Sequence, residues 1–230
     1  MAIGGEQLFN SGVYGPPLGG DCDFFGDGSG KLLFRFDNTI TDECGNYLNN
    51  PVYTNLVYSA DAKLGPTSFG PNAYIVNNNA DGILQGTLSE RNSCSFWVKF
   101  PSVPNSFQRL ITIDKWIIMF SSGGLISMTY GIGAGTSNFD NVSVSHNFSI
   151  NEWHHISMVV GGYSNYKLYL DNVLRINYDN GNPPREPYKL PFSIGANNFS
   201  SQNFIGQIDQ LRVFNRTLSA SEVTALYNES

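Results

Sequence analysis

The sequence is poor in charged residues and has no cluster of positive charge. Charged residues make up 14% of the 230 residues and the formal net charge is −6, whereas typical soluble domains contain ~25% charged residues. No two basic residues are adjacent along the chain. Because a nucleic-acid interface needs a clustered basic face, we expect no nucleic-acid partner.

Long apolar runs are also missing. No run approaches the ~20 apolar residues that a membrane-spanning helix requires, so we expect no membrane insertion.

Residues 1–20 lack the basic segment and the apolar segment of a secretory signal peptide. We therefore expect that, if the protein works outside a cell, it leaves by another route.

Cysteine is scarce, with three widely spaced residues at Cys22, Cys44 and Cys94. They form no C-x-x-C pair and no cluster with histidine, so the sequence does not indicate a zinc site. Two interpretations remain. We favour free thiols, with Cys94 buried in a strand, and the alternative is a Cys22–Cys44 bridge that pins the N-terminal segment.

Apolar side chains and turn-forming residues are, by contrast, abundant. Hydrophobic residues reach 41% and aromatic residues 13%, which suffices for a sizeable core. Glycine and asparagine are frequent, as expected of a chain with many turns. The length allows one all-β domain or such a domain with an appendage.

The most informative stretch is residues 203–227, NFIGQIDQLRVFNRTLSASEVTALY. Its first half alternates apolar and polar residues, which predicts a strand with one buried face. Gly206 fits a bulge or a close backbone approach. Ser219 and Glu222 then form a capping box, which predicts a short C-terminal helix.

Residues 206–223 resemble the signature that ends laminin-G-like jelly-roll domains of the concanavalin A-like lectin/glucanase superfamily. Other segments are similar to motifs of the same family: residues 32–46 to its opening, 61–76 to its next element, and 152–160 to its W-H-H strand. The resemblance covers residues 32–227 and implies an antiparallel two-sheet jelly-roll sandwich. It does not by itself imply a function, because this sandwich carries many unrelated functions.

Several further strands are predicted from residue patterns. Residues 93–100 alternate cleanly, and strands follow at about 109–113, 116–120 and 125–130. Residues 131–141 are predicted as a polar, glycine-rich loop. Residues 166–178 are predicted as a hairpin that turns at Asp171 and Asn172.

The chain is therefore predicted to be all-β, with a jelly-roll domain at residues 31–230 and an extended N-terminal arm at residues 1–30. The arm is rich in glycine and proline and shows no period of a strand or a helix. We interpret it as an attachment segment, with aromatic anchors at Phe9, Tyr14, Phe24 and Phe25. The alternative is a locally folded extension that packs on its own sandwich.

An enzyme is not expected. The glucanases of this superfamily use a strand on which alternate carboxylates share one face, and the sequence contains no such triplet. It also contains neither G-x-S-x-G nor H-E-x-x-H. The resemblance implies structural roles for the three histidines, His146, His154 and His155.

One structural calcium ion is a candidate cofactor, because the resemblance implies that related sandwiches often hold one at an edge. The closing strand would bring Asp209 close to the opening motif. The candidate ligands are Asp37, Asp42, the backbone near Gly45, and Asp209. The alternative is that Asp42 caps its own turn and that Asp209 bonds loop amides.

Glycan binding is the other candidate activity. It needs exposed aromatic rings with polar side chains beside them. Aromatic residues in predicted loops lie near asparagine or aspartate in the sequence, including Asn141 and Asn165. The candidate glycan-binding residues are Trp116, Asn138, Phe139, Asp140, Tyr163 and Tyr166. Because Trp116 lies at the start of a predicted strand, the alternative for this residue is a place in the core.

Our leading hypothesis is a non-enzymatic virion surface protein of a tailed phage, either a capsid decoration or a tail appendage. The run at 26–37, GDGSGKLLFRFD, is similar to the start of such modules in phage virion proteins. The protein would be made in the host cytoplasm, bind other virion proteins through the arm, and bind cell-surface glycans through the sandwich. A homo-oligomer is a further candidate assembly. The alternative is a free, extracellular carbohydrate-binding module or lectin.

Overall fold

A computed structural model describes eleven stretches of the chain: residues 22–46, 52–54, 57–64, 68–69, 74–77, 91–113, 116–131, 139–162, 165–179, 192–197 and 202–229. The strands in these stretches are β1 (Gly30–Phe34), β2 (Val52–Thr54), β3 (Tyr58–Ser59), β4 (Ser68–Phe69), β5 (Tyr74–Asn77), β6 (Asn92–Lys99), β7 (Gln108–Ile113), β8 (Trp116–Ser121), β9 (Leu125–Gly131), β10 (Phe139–Ser145), β11 (His154–Gly162), β12 (Asn165–Leu170), β13 (Val173–Asp179), β14 (Phe192–Ile194) and β15 (Gln207–Phe214). One helix, α1 (Ala220–Tyr227), follows the last strand.

The strands form two antiparallel sheets. The first sheet has the order β13-β12-β11-β6-β15-β4-β3, and β1 pairs with β15 beside β4. The second sheet has the order β10-β9-β8-β7-β14-β5-β2. Many neighbours in these sheets are distant in sequence, as in a jelly roll. The predicted all-β sandwich with a short C-terminal helix is confirmed.

The main core lies between the two sheets and follows the alternation of the strands. In β6, Cys94, Phe96 and Val98 belong to this core, whereas Trp97 lies on the opposite face and stacks on Tyr227 of α1. In β8, the core side chains are Trp116, Ile118 and Phe120. The sandwich therefore buries one face of each sheet against the other.

The closing strand β15 pairs with β6 on one side and with β1 on the other, so the two ends of the described chain meet. Gly206, just before β15, has no room for a side chain, because an added Cβ would lie 2.4 Å from the carbonyl oxygen of Lys99. The close backbone approach predicted at this glycine is confirmed.

Helix α1 begins with the predicted capping box. The Ser219 side chain accepts a hydrogen bond from the Glu222 amide, and the Glu222 carboxylate accepts one from the Ser219 amide. The helix packs against the outer face of the first sheet through Val223 and Leu226, which contact a cluster with Phe214 of β15. This outer face is therefore covered.

The predicted hairpin is confirmed, with Asp171 and Asn172 both in the left-handed region at φ 48° and 62°. Positive φ at both central residues defines the type I′ turn that suits a two-residue hairpin. The Asp171 carboxylate also accepts a hydrogen bond from the amide of His155 at 2.8 Å. The turn thus fixes the start of β11.

Two sequence predictions need correction. Residues 139–141 belong to strand β10 rather than to a loop. Cys22 and Cys44 form a disulfide, so the free-thiol interpretation holds only for Cys94, whose burial raises the pKa of its thiol to about 12. The bridge closes 22 residues of chain and fixes the end of the predicted arm to the sandwich.

Candidate functional site

A groove lies on the outer face of the second sheet, across strands β7 to β10. It has a volume of about 390 Å³. We call this cavity the outer groove. The residues that line it are Phe107, Arg109, Ile117, Met119, Thr129, Asn141 and Gln202.

Strand register explains why these side chains meet. Asn141 pairs with Thr129, and Thr129 pairs with Ile117, so the three form one row across the sheet. In the next row, Met119 pairs with Arg109. Paired residues on neighbouring strands point to the same face, and this face is opposite to the one that carries the core.

A bulge in β7 places the arginine in the groove. The register between β7 and β8 shifts between Arg109 and Ile111, and both Leu110 and Ile111 belong to the core. The extra residue lets Arg109 and Thr112, three positions apart, lie on the same outer face. Without the bulge, Arg109 would share the face of Ile111.

The floor of the groove is apolar. Ile117 and Met119 form a cluster of their own, separate from the main core, and their exposed fractions are only 4% and 9%. Phe107 lines the groove as well, and it is 51% exposed. The groove therefore combines a covered aliphatic floor with an exposed aromatic ring.

The segment that carries Gln202 is fixed against β7 by two hydrogen bonds. The amide of Arg109 donates to the carbonyl of Gln202 at 2.8 Å, and the amide of Ile205 donates to Oε1 of Gln108 at 2.9 Å. Gln202 adopts φ 57°, which turns the chain at this point. The glutamine is thus held at the groove by backbone contacts rather than by its own side chain.

Within the described residues, three polar atoms of the groove are buried without a hydrogen-bond partner. They are Nε of Arg109, Oγ1 of Thr129 and Oε1 of Gln202. Unpaired buried polar atoms are uncommon and costly in native proteins. All three atoms are shielded from solvent, whereas Asn141 and Phe107 are exposed at the groove.

The Arg109 guanidinium carries the charge of the groove. Burial lowers the pKa of Arg109 to about 10, so the side chain stays protonated at neutral pH. Within the described residues, the only hydrogen bond of the guanidinium runs from Nη1 to Oγ1 of Thr112, at 3.3 Å, and no carboxylate pairs with it.

The predicted glycan-binding residues do not form this groove. Trp116 and Tyr166 lie in the main core, with exposed fractions of 3% and 0% and their ring centroids 5.2 Å apart. Their predicted exposure is wrong. Phe139 and Asp140 lie in β10, and their side chains are outside the described part, as are Asn138 and Tyr163 altogether. Of the asparagines noted beside them, Asn141 lines the groove.

Three of the predicted calcium ligands, Asp42, Gly45 and Asp209, are engaged in hydrogen bonds with the backbone. Asp42 accepts from the amides of Leu33, Cys44 and Asn46, and Gly45 donates its amide to the carbonyl of Asp42.

Asp209 accepts from the amides of Lys63, Leu64 and Gln210. Burial raises the pKa of Asp209 to about 7, with a contribution from the nearby Asp37. The described residues contain no group of three acidic, histidine or cysteine side chains that could hold a metal ion. Asp42 and Asp209 thus have the backbone-bonding roles of the alternative interpretation.

The predicted arm anchors divide into two pairs. Phe24 and Phe25 pack against the cluster below helix α1, and the Phe25 ring lies 5.4 Å from that of Phe214. They stabilise their own sandwich, as the alternative interpretation predicts, and do not project from it. Phe9 and Tyr14 lie outside the described residues.

The histidines have structural partners. His154 stacks on Phe148 with ring centroids 4.2 Å apart and lies 2.7 Å from the Asp171 carboxylate. His155, on the opposite face of β11, bonds Oγ of Ser95 through Nε2 at 2.7 Å.

No helix in the described part of the chain is long and apolar enough to cross a membrane.

Sequence reasoning missed the central groove residues, above all Arg109 and Met119. A signal for Phe107 was present, because a lone aromatic residue in the turn-rich segment PSVPNSF directly precedes a strand. Arg109 had no comparable signal, since its position depends on the bulge. Met119 belongs to a uniformly apolar strand, in which the outer face cannot be recognised from residue type.

The two sheets, the covering helix and the open outer groove define a lectin-like jelly-roll sandwich. Residues 70–224 match the Laminin_G_3 family, described as "Concanavalin A-like lectin/glucanases superfamily". The chain belongs to this family, as the sequence motifs predicted. No curated protein sequence matches the chain significantly.

Solved structures share the fold at low sequence identity. Domain 4 of AbnA, an extracellular arabinanase from Geobacillus stearothermophilus solved in complex with arabinotriose, is 20% identical with a TM-score of 0.67, over 86% of this chain and 98% of that one. The binding domain of Paraclostridial Mosquitocidal Protein 1 is 18% identical with a TM-score of 0.64, over 86% of this chain and 51% of that one.

The receptor binding domain of botulinum neurotoxin type G is 16% identical, with a TM-score of 0.61 over 86% of this chain and 50% of that one. The present chain thus spans about half the length of these two toxin domains.

Proposed function

We propose that the chain is a non-catalytic carbohydrate-binding protein that holds a sugar in the outer groove. The groove itself carries this proposal. It combines an aliphatic floor, an exposed ring at Phe107 and polar side chains at Arg109, Thr129, Asn141 and Gln202. Binding pockets for small molecules have this composition, with apolar surface for contact area and a few polar groups for orientation.

The chemistry of the groove favours binding over hydrolysis. A glycosidase needs two carboxyl groups that flank the scissile bond, and no aspartate or glutamate is among the described residues that line the groove. Domain 4 of AbnA, which shares the fold, was solved in complex with arabinotriose, and this complex supports a sugar ligand for a domain of this kind. We therefore propose a binding role without turnover.

We further propose that this protein works on the surface of a tailed-phage particle, as a capsid decoration or a tail appendage, and presents the groove to host glycans. The run at 26–37 supports this location by its similarity to phage virion modules. The Cys22–Cys44 disulfide also supports a place of work outside a reducing cytosol, since such bonds persist on virion surfaces and in extracellular proteins.

The alternative is a free, extracellular carbohydrate-binding module. One observation favours it: residues 22–30 pack on the sandwich instead of extending from it, which shortens the predicted attachment arm to residues 1–21. Both proposals require the same sugar-binding groove and differ only in what the N-terminal residues do.

The binding proposal is tested on a broad glycan array with the full chain and with Phe107→Ala. Because Phe107 is 51% exposed, its removal should leave the fold intact and weaken sugar binding about tenfold, the value of a lost aromatic contact. Ile150→Ala is the matched control, since Ile150 is 48% exposed and lies outside the groove. An array without a binder, or equal affinity of all three proteins, would contradict the proposal.

A further inference from the structure

Arg109 differs from the other arginines whose partners the structure defines. Arg212 forms two hydrogen bonds of 2.6 Å with the Glu229 carboxylate. Arg216 bonds the carboxylates of both Glu222 and Asp27. The guanidinium groups of Arg212 and Arg216 are thus each paired with a carboxylate of their own chain, whereas Arg175 donates to the carbonyl of Ser145 at 2.6 Å.

Arg109 has no such partner within the described residues. Its guanidinium has one long hydrogen bond to Thr112, and its Nε is buried without a partner, as is Nε of Arg212. An unpaired charge that has lost part of its hydration is unfavourable unless an anion compensates it. The free protein therefore holds a desolvated cation in a groove that is open to a ligand.

Among the described residues that line the groove, none adds a negative charge beside the guanidinium. The other residues that line the groove are apolar or uncharged: Phe107, Ile117, Met119, Thr129, Asn141 and Gln202. This local excess of positive charge lies in a chain with a formal net charge of −6. Because the chain as a whole is negative, its overall field does not attract anions. Only the local positive charge of Arg109 can then select an anionic ligand.

We propose that the outer groove selects acidic sugars, and that Arg109 binds their anionic group, either a carboxylate or a sulfate ester. This inference rests on the proposed sugar-binding function of the same groove. The planar guanidinium fork binds such groups through two parallel hydrogen bonds. Asn141, which is exposed, then remains for hydroxyl groups, and Phe107 with the aliphatic floor contacts the apolar face of the ring.

The test compares sugars that differ only in the anionic group. The probes are three pairs: oligogalacturonate and its methyl ester, sialyllactose and its methyl ester, and sulfated and unsulfated lactose, each added to the full chain in a calorimeter. We expect at least one acidic member to bind about tenfold or more tightly than its neutral partner. The pair that responds identifies carboxylate or sulfate as the group recognised. Added salt should weaken only the acidic member.

Three variants assign the preference to the arginine. Arg109→Met keeps an unbranched, apolar side chain on the floor and should abolish the preference for the acidic member. Arg109→Lys keeps the charge without the fork and should restore only part of the preference. Arg175→Met removes an equal charge from β13 of the other sheet and should change nothing.

The outcomes separate this inference from the function on which it rests. Binding of neutral sugars that is lost in Phe107→Ala, with no preference for acidic members, would leave the sugar-binding proposal intact and overturn the acidic preference. An acidic preference that survives in Arg109→Met would also overturn it. Absence of binding to these probes and to every glycan of the array would overturn both proposals.

Discussion

At the scale of single residues, the two adjacent histidines of β11 show how environment sets charge. Although burial disfavours a charged imidazole, the Asp171 carboxylate and the Ser149 carbonyl raise the pKa of His154 above its usual value. Burial lowers the pKa of His155 to about 3. Neighbours in sequence thus titrate in opposite directions because β11 points them to opposite faces.

These shifts predict opposite pH effects on stability. The unfolded chain protonates His155 below about pH 6.5, while the folded protein keeps it neutral down to about pH 3. The stability that His155 contributes is therefore present above pH 6.5 and lost as pH falls. The contribution of His154 is fully present below pH 6.5 and is lost as pH rises through its raised pKa.

The measurement is the free energy of unfolding of the wild type, His155→Gln and His154→Gln between pH 4 and pH 8. The advantage of the wild type over His155→Gln should shrink below pH 6.5, by up to about 1.4 kcal/mol per pH unit. Its advantage over His154→Gln should instead shrink above pH 6.5. Because both are differences, other titrating groups cancel. If the two differences in unfolding free energy changed with pH in the same direction, the opposite pKa shifts assigned to His154 and His155 would be contradicted.

The glycan-binding residues show why single positions were hard to predict. The β8 strand reads WIIMFS, and its first five residues are all apolar. Such a strand does not reveal which face meets the core, so Trp116 could be predicted as exposed although it shares the core face of Ile118. Conversely, Met119 looks like a core residue but lies on the floor of the groove.

At the scale of elements, patterns with a strong local cause were predicted well. The capping box of α1, the turn at Asp171 and Asn172, and the alternation of β6 all follow from nearby residues. Strand β10 as a whole was not predicted, although NVSVS alternates, and the predicted loop covers its first three residues. The bulge in β7 depends on pairing with β8, and no local pattern marks it.

The N-terminal segment is the element whose role changes most. Residues 22–30 are held by the Cys22–Cys44 bridge, by the Phe25 contact with Phe214 and by the Asp27 ion pair with Arg216. The ring of Phe24 also lies near the Arg212 guanidinium, at 5.3 Å. These contacts join the segment to the outer face of the first sheet, beside α1.

Loss of the disulfide should destabilise the sandwich without affecting the groove. The bridge closes 22 residues, and the reduction in unfolded-state entropy corresponds to about 3 kcal/mol. The double variant Cys22→Ser, Cys44→Ser should lose about that much in denaturant unfolding. The wild type in reducing buffer should lose the same, and the variant should not respond to reductant. Unchanged stability in both tests would contradict a structural role for the bridge.

At the scale of the whole molecule, the two sheets differ in what covers them. Helix α1 and residues 22–30 cover the outer face of the first sheet, whereas the outer face of the second sheet carries the groove. Within the described part of the chain, one side of the sandwich is therefore covered by α1 and residues 22–30, and the other carries the groove that we propose binds sugar. A protein attached near its N-terminus would keep the groove free, since the two features lie on different sheets.

Because residues 22–30 pack on the first sheet, a test of the attachment role must remove residues 1–21 and keep residues 22–30. A shortened chain must begin at Cys22 and not at Lys31, because removal of Cys22, Phe25 and Asp27 would break the disulfide, the cluster below α1 and the ion pair with Arg216. Such a loss of folding would be mistaken for a loss of assembly. A chain that starts at Cys22 keeps all three contacts and lacks only residues 1–21.

The masses of the full chain and the chain starting at Cys22 are then compared in solution, together with their melting temperatures. If residues 1–21 attach the protein to a virus particle, the full chain should form a larger assembly, whereas the shortened chain should be a folded monomer with unchanged sugar binding. Equal melting temperatures are the control for folding. If both chains are monomers, residues 1–21 do not drive self-assembly, and the free carbohydrate-binding module becomes the better account because the groove functions without them.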